Sequence, residues 1–199
     1  MNLIAHFTAG LDEAGRGPLA GPVSAGCVIL HPDFDITLLK DSKVLSEKKR
    51  ERLFDMITSS CCWGHSFVSH EEIDRINILN ASLKAMRLAY EQVVEKLPQW
   101  CEKNKVEFPG LEFVRAVADG NKVPDVPNCI AVVKADATVP CVSAASIIAK
   151  VLRDRLMYDY DRLYPGYGYA KHKGYPTKAH KEACRKLGPS PIQRLSFSY

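Results

Sequence analysis

Apolar and polar positions follow two rhythms along the chain, and the rhythm changes at breaks rich in glycine and proline. Residues 7 to 12 and 23 to 30 ("VSAGCVIL") are short apolar runs bounded by Gly and Pro. They predict two buried strands joined by a loop. "SEKKRERLFDMITSS" (46–60) predicts an exposed helix behind Ser46, and "WGHSFV" (63–68) another short strand. Ser69 and Glu72 are spaced as a capping box. The clearest helix follows, because Leu79, Leu83, Met86, Tyr90, Val93 and Leu97 recur at alternating spacings of four and three. That is one apolar stripe, suited to packing on a sheet.

Further on, "LEFVRAVADG" (111–120) predicts a strand ending in Asp119-Gly120, and "CIAVVKAD" (129–136) a strand ending in Asp136. Helices are predicted from about 143 to 163 and from Thr177 to Leu187, the second stopped by Gly188-Pro189. No internal repeat, low-complexity tract or linker interrupts the pattern. Early strands joined by short loops, then strands alternating with helices, predict one α/β domain with a mixed sheet over residues 1–199.

Composition narrows the class. A length of 199 residues is enough for one domain with a sizeable core. The 46% hydrophobic and 25% charged content is that of a soluble globular protein. No apolar run reaches the ~18 residues of a membrane span. "MNLIAHFTAG" has neither the basic start nor the apolar length of an export signal, so a cytoplasmic protein without a membrane partner is expected. Seven cysteines, an odd number without a C-x-x-C pair, predict reduced and mostly buried thiols in place of disulfides or zinc ligands. A net charge of +4 permits a nucleic-acid partner without requiring one. No oligomerisation signal is visible, and a monomer is expected.

The predicted strand ends change the picture, because three of them carry acids: Asp12-Glu13, Asp119 and Asp136. A carboxylate inside a strand is costly to desolvate, whereas at a C-terminal strand end it faces the cleft where open α/β sheets bind ligands. Four converging carboxylates repel one another unless cations sit between them. Oxygen ligands suit Mg²⁺ or Mn²⁺. Two such ions about 3.5–4 Å apart clamp the attacking and leaving oxygens of a phosphodiester. Neighbours in a regular strand point to opposite faces, so Asp12 and Glu13 share a site only if the strand ends or bulges there; Ala-Gly-Arg-Gly-Pro predicts such a break. Each acid also has a plain alternative: Asp119-Gly120 as a turn, Asp136 as a helix cap, Asp12-Glu13 as solvated loop acids.

Gly15-Arg16-Gly17 leads into Pro-Leu-Ala-Gly21, a spacing one residue too long for a dinucleotide fingerprint. It reads either as a structural turn or as bare backbone that approaches a ligand; a ribose 2′-OH, which donates and accepts, is such a ligand. "YPGYGYAKHKGYPTKAHKEACRK" (164–186) interleaves tyrosines with Lys171, His172, Lys173, Lys178 and Lys181. Cations beside rings suit phosphate and sugar contacts, and equally a solvated surface. Lys43 stands in the polar "LKDSK" loop. The six histidines form no ligand pair, and no G-x-S-x-G elbow appears.

With these pieces placed, the chain resembles the bacterial type 2 ribonucleases H (RNase HII) over nearly its whole length. The resemblance runs through "AGLDEAGRGPLAGPV", "LKDSKVLSEKKRERL", "EIDRINILNASLKAM", "VKADATVPCVSAASIIAKVLRD" and "YGYAKHKGYPTKAH". It implies a ribonuclease H-like fold, with a mixed five-stranded sheet flanked by helices and a C-terminal helical segment from about residue 164. It implies an endonuclease that cuts RNA in RNA/DNA hybrids and on the 5′ side of ribonucleotides in duplex DNA. Two Mg²⁺ or Mn²⁺ ions would be held by Asp12, Glu13, Asp119 and Asp136. The backbone of Gly15, Arg16 and Gly17 would contact the 2′-OH, Tyr175 would stack on the following sugar, and Lys43 would lie near phosphate. Three departures stand out: Ala135 replaces the glycine of "VKGD", Cys141 replaces an acid, and the chain stops at "RLSFSY". Ala135 is a strain only if its φ must be positive, which is not expected. "QRLSFSY" does not fit a sliding-clamp peptide, because Ser196 stands at its aliphatic position. The type 3 relatives carry an extra N-terminal domain, for which no room is expected ahead of Asp12. A non-catalytic binding relative and a different two-metal nuclease remain the alternatives.

Overall fold

A computed structural model describes residues 7–39, 45–108 and 110–198. The two first apolar runs form β1 (Thr8–Ala14) and β2 (Val23–Ile29), an antiparallel pair. β3 (Cys62–Val68) adds antiparallel to the free side of β2. On the other side, β4 (Arg115–Asp119) pairs parallel with β1, and β5 (Cys129–Val132) parallel with β4. The result is a mixed five-stranded sheet in the order β3-β2-β1-β4-β5.

All seven residues of β2 are buried, because helices cover both faces of the sheet there. On one face lies α3 (Ile78–Asn104). Its core contacts come from Met86, Tyr90, Val93 and Leu97 of the predicted stripe, together with Ala81, Ala85 and Ala89. Leu79 and Leu83 are only half-buried. The alanine side of α3 takes the sheet contact because small side chains allow the close approach. Each large apolar residue so buried contributes about 1.5–3 kcal/mol. α1 (Glu47–Ser60) starts at Ser46, whose hydroxyl accepts from Lys49 N, and α2 (His70–Ile76) at Ser69, which accepts from Glu72 N. The boxed serine therefore opens α2, while α3 begins separately at Asn77.

α5 (Pro140–Leu163) covers the second face, with Ala144, Ala145, Ile148 and Val151 packed on Val28 and on Leu53, Phe54 and Ile57 of α1. It starts earlier than predicted because Pro140 at the first helical turn fits the helix φ and has no N–H to leave unpaired. Its N-terminus rests directly on β1: a Cβ on Gly10 would lie 2.1 Å from the Cys141 carbonyl carbon.

Two predicted strands are shorter than the sequence suggests. Leu111–Phe113 is a 3₁₀ turn, and β4 begins after it. β5 stops at Val132, since it is an edge strand and the chain leaves the sheet through exposed Val133 and left-handed Lys134 (φ 60°). Residues Ala135–Thr138 then form the single turn α4. Asp136 thus sits on a helical turn and not at a strand end. The tail forms α6 (Tyr169–His172) and α7 (Lys178–Leu187), the latter capped by Thr177 and closed at Gly188. The last residues return to the β1–β2 connection through a bridge between Ala20 and Gln193. Six of the seven cysteines are buried and Cys129 is half-buried, and none is in a disulfide.

Candidate active site

The ends of β1 and β4, the turn α4 and the first half of α5 converge on an open cavity of about 370 Å³. Asp12, Glu13, Asp119 and Asp136 all line it, as do Gly15, Arg16, Gly17 and Tyr175. Eight of the nine predicted site residues therefore meet in one place. The ninth, Lys43, lies outside the described residues.

The strand break predicted at Asp12-Glu13 does not occur. β1 continues in register with β2 through Asp12↔Gly26, Glu13↔Ala25 and Ala14↔Ser24. The two acids share the cavity for another reason. The ladder between β1 and β4 ends at Leu11↔Ala118, and β4 itself ends at Asp119. Beyond that point β1 has no partner in β4, and both Asp12 and Glu13 line the cavity that opens there.

Asp12 is 5% exposed. Burial holds its carboxyl well above the usual range, the charges of Glu13 and Asp119 add to the effect, and a hydrogen bond with Ser146 opposes it. The Glu13 backbone N–H donates to Asp12 Oδ1 at 2.7 Å. Burial also raises Glu13, while Arg16, whose Nη1 donates to Glu13 Oε1 at 3.2 Å, pulls it back down. Glu13 Oε2 is buried and accepts no hydrogen bond among the described residues. Asp119 Oδ1 accepts from the Asp136 N–H at 3.4 Å, and the Ser143 hydroxyl donates to the Asp136 carbonyl.

This donor set fits hard divalent cations: it is all carboxylate oxygen, mutually repelling, and includes a buried oxygen with no hydrogen-bond donor. Among the described residues, no three acidic, histidine or cysteine side chains already surround a common point. Glu13 is turned toward Arg16 instead.

The glycine loop is shaped from below. Gly15 has φ +97°, and a Cβ there would lie 2.0 Å from Arg153 Nε. Gly17 lies under Tyr175, whose ring would be 3.5 Å from a Cβ at that position. Tyr175 is held by its backbone: its N–H donates to the His172 carbonyl, and its own carbonyl accepts from His180 Nδ1 at 3.0 Å. His172 and His180 stack at 4.5 Å, and burial lowers both.

The sequence profile of the ribonuclease HII family matches residues 9–199. This chain belongs to the ribonuclease HII family. Ribonuclease HII of Treponema denticola is 51% identical over 193 residues, 94% of this chain and 96% of that one. Ribonuclease HII of Caldanaerobacter subterraneus subsp. tengcongensis is 46% identical, covering 96% and 74%. Among solved structures, ribonuclease H2 from Pyrococcus horikoshii superposes with a TM-score of 0.68 at 27% identity, covering 96% and 94%. Bst-RNase HIII in complex with Mn²⁺ shares the fold, with a TM-score of 0.67 at 17% identity, covering 97% and 67%. The chain is an endonuclease of the ribonuclease H class, an enzyme class that acts on nucleic acid and depends on divalent metal. No helix among the described residues is long and apolar enough to cross a membrane.

Within the ribonuclease HII pattern, two of the departures, Ala135 and Cys141, lie in apolar packing. The positive φ falls on Lys134, one residue before Ala135, whose buried methyl packs with Cys141 and Val142. Cys141 lies in that same apolar cluster and does not line the cavity. The basic and aromatic tail splits in two. Tyr175 reaches the cavity, while His172 and Tyr169 are buried and Lys173 covers the Tyr158 ring. Sequence reasoning passed over Arg50, Ser146 and Lys150, which also line the cavity, and the buried Arg153 and Arg194. Ser146 and Lys150 have a signal in retrospect, one helical turn apart on the helix that follows Asp136.

Proposed function

We propose that this ribonuclease HII cuts the RNA strand of RNA/DNA hybrids and cuts on the 5′ side of ribonucleotides embedded in duplex DNA. The products carry 3′-OH and 5′-phosphate ends. The observation that carries this reading is the shared cavity, in which four carboxylates stand beside a bare glycine backbone and an exposed ring. Asp12, Glu13, Asp119 and Asp136 would hold two Mg²⁺ or Mn²⁺ ions. Bound there, such ions activate water and stabilise the departing 3′ oxygen.

The chain's own groups prepare the site. Ser146 and the Glu13 N–H fix the Asp12 carboxylate. Arg16 keeps Glu13 ionised more readily than burial alone would allow. The Gly15–Gly17 backbone offers donors and acceptors to a 2′-OH, the group that distinguishes ribose from deoxyribose. Tyr175, 41% exposed beside Gly17, presents a face to the next sugar. Arg50 and Lys150 supply cations to backbone phosphates from the α1 and α5 side. Lys43 joins them on its motif alone. The chain works as one catalytic domain over residues 1–199, a cytoplasmic monomer that excises ribonucleotides and removes primer RNA.

The test is a labelled DNA duplex with a single ribonucleotide, incubated with Mg²⁺, Mn²⁺ or EDTA. One internal nick 5′ to the ribonucleotide, only with metal, is expected. Cutting in EDTA, equal cutting of an all-DNA duplex, or a ladder from a strand end would refute the reading.

A further inference from the structure

Two arginines lie beneath the glycine loop, Arg153 at 1% exposure and Arg194 at 0%. A buried guanidinium is costly unless each donor finds an acceptor. Here every acceptor is a backbone carbonyl. Arg194 donates through Nη2 to Gly15 O at 2.7 Å, Nη1 to Arg16 O at 3.0 Å and Nε to Gly21 O at 2.8 Å. Arg153 donates through Nε to Pro22 O at 3.0 Å, Nη2 to Ala20 O at 3.2 Å and Nη1 to Lys173 O at 2.9 Å. The last bond ties the loop to the turn that carries Tyr175. Burial lowers Arg153 to about 10 and Arg194 to about 9, so both stay cationic at neutral pH.

The consequence follows from peptide geometry. In a planar trans peptide the C=O and N–H point in opposite directions. Drawing the Gly15 and Arg16 carbonyls inward therefore turns the Arg16 and Gly17 N–H groups outward. Among the described residues, neither N–H donates to a protein acceptor. Both residues line the cavity beside the carboxylates.

We propose that Arg153 and Arg194 are positioning residues for ribonucleotide recognition, aiming the Arg16 and Gly17 N–H groups and the Tyr175 ring at the substrate sugar. This rests on the reading of the loop as the 2′-OH sensor. A lysine at either position keeps the charge but cannot satisfy three carbonyls from one planar fork. The loop would then lose its fixed peptide orientation while the electrostatic pull on DNA persists.

The test is fluorescence anisotropy with Ca²⁺ as the divalent ion, on two labelled duplexes: one with a single ribonucleotide, one all-deoxy. Wild type, Arg153→Lys and Arg194→Lys are compared. In each variant the ratio of the two Kd values is expected to move toward one by about tenfold, the scale of one lost charged hydrogen bond. Affinity for the all-deoxy duplex stays within about threefold. The ratio cancels the folded fraction of each preparation. Should a variant yield no soluble protein, Gly21→Ala disturbs the same device from the loop side, since Gly21 has φ +81°, its Cβ would lie 2.8 Å from Met157 Sδ, and its carbonyl accepts from Arg194 Nε. An unchanged ratio, or equal weakening on both duplexes, overturns the proposal. A wild-type ratio of one refutes the sensor reading itself.

Discussion

Replacing Gly15 by alanine puts the packing beneath the loop under direct test. Gly15 adopts φ +97°, and a β-carbon built there meets Arg153 at Nε (2.0 Å), Cδ (2.5 Å) and Cζ (2.9 Å). The positive φ alone costs an L-residue roughly 1–2 kcal/mol. The methyl must also displace a guanidinium that donates to three carbonyls and has no solvent to move into. Losing one or two of those charged hydrogen bonds adds about 2–4 kcal/mol. The sum, roughly 3–6 kcal/mol, is a large part of the ~5–15 kcal/mol that holds a domain folded. At about 2–4 °C per kcal/mol for a chain of this size, the midpoint falls by ~6–24 °C. Urea unfolding followed by the fluorescence of Trp63 and Trp100 measures the loss. Gly120→Ala is the control, because Gly120 has φ +107° with nothing within 4 Å of its β-carbon. It should show the backbone strain alone, and the difference between the two variants isolates the arginine contact. Equal losses in both, or a loss below about 1 kcal/mol in Gly15→Ala, would refute the account.

Asp12→Asn should abolish cutting yet melt at a higher temperature than wild type at pH 8 without divalent ions. The folded carboxyl binds its proton more tightly than the unfolded one, so wild-type stability falls as pH rises through the carboxylate range, and the gap should narrow at pH 4. Saturating Mn²⁺ should stabilise wild type, by about 2.7 kcal/mol at a hundredfold excess over Kd, and Asp12→Asn far less; a variant less stable than wild type at pH 8 would contradict this. Arg16→Ala keeps the loop backbone, so the preference for ribose should survive. Glu13 loses the cation that lowers it, so the acidic limb of the pH–rate profile should move to higher pH, and an unmoved limb would count against the pair. His65 is lowered to about 4 by burial, with Nε2 2.9 Å from Ser24 Oγ. The unfolded chain takes up this proton first as pH falls, so stability should drop between about pH 6.5 and 4 by on the order of 3 kcal/mol. His65→Gln should flatten that slope, and parallel slopes would show that the loss comes from elsewhere.

Much of the site was legible in the sequence because it follows local rules. Asp12-Glu13 and Asp119 stand where apolar runs end, and several acid-bearing ends together point to a shared cleft where each alone reads equally as a turn or a solvated loop acid. Asp136 was placed in the right cavity on the wrong element. "CIAVVKAD" reads as one strand, but only the sheet's edge shows that its last residues have no partner to pair with. The same limit explains Glu13. The alternation of strand side chains correctly raised the difficulty, yet its resolution was the early end of β4, a property of the neighbouring strand.

The sequence by itself determined most of the elements, the mixed α/β class and the four acids that the fold brings to one cavity. Periods of two and 3.6 residues, caps and glycine breaks are written within a dozen neighbouring positions. The tertiary structure decided what lies across the sheet from each acid and beneath the loop. Arg194 meets Gly15 across 179 residues of chain, and Arg153 meets Ala20 across 133. Contacts at such separations carry no period, so an arginine in a helix or an irregular tail looks like solvated surface until the fold closes over it.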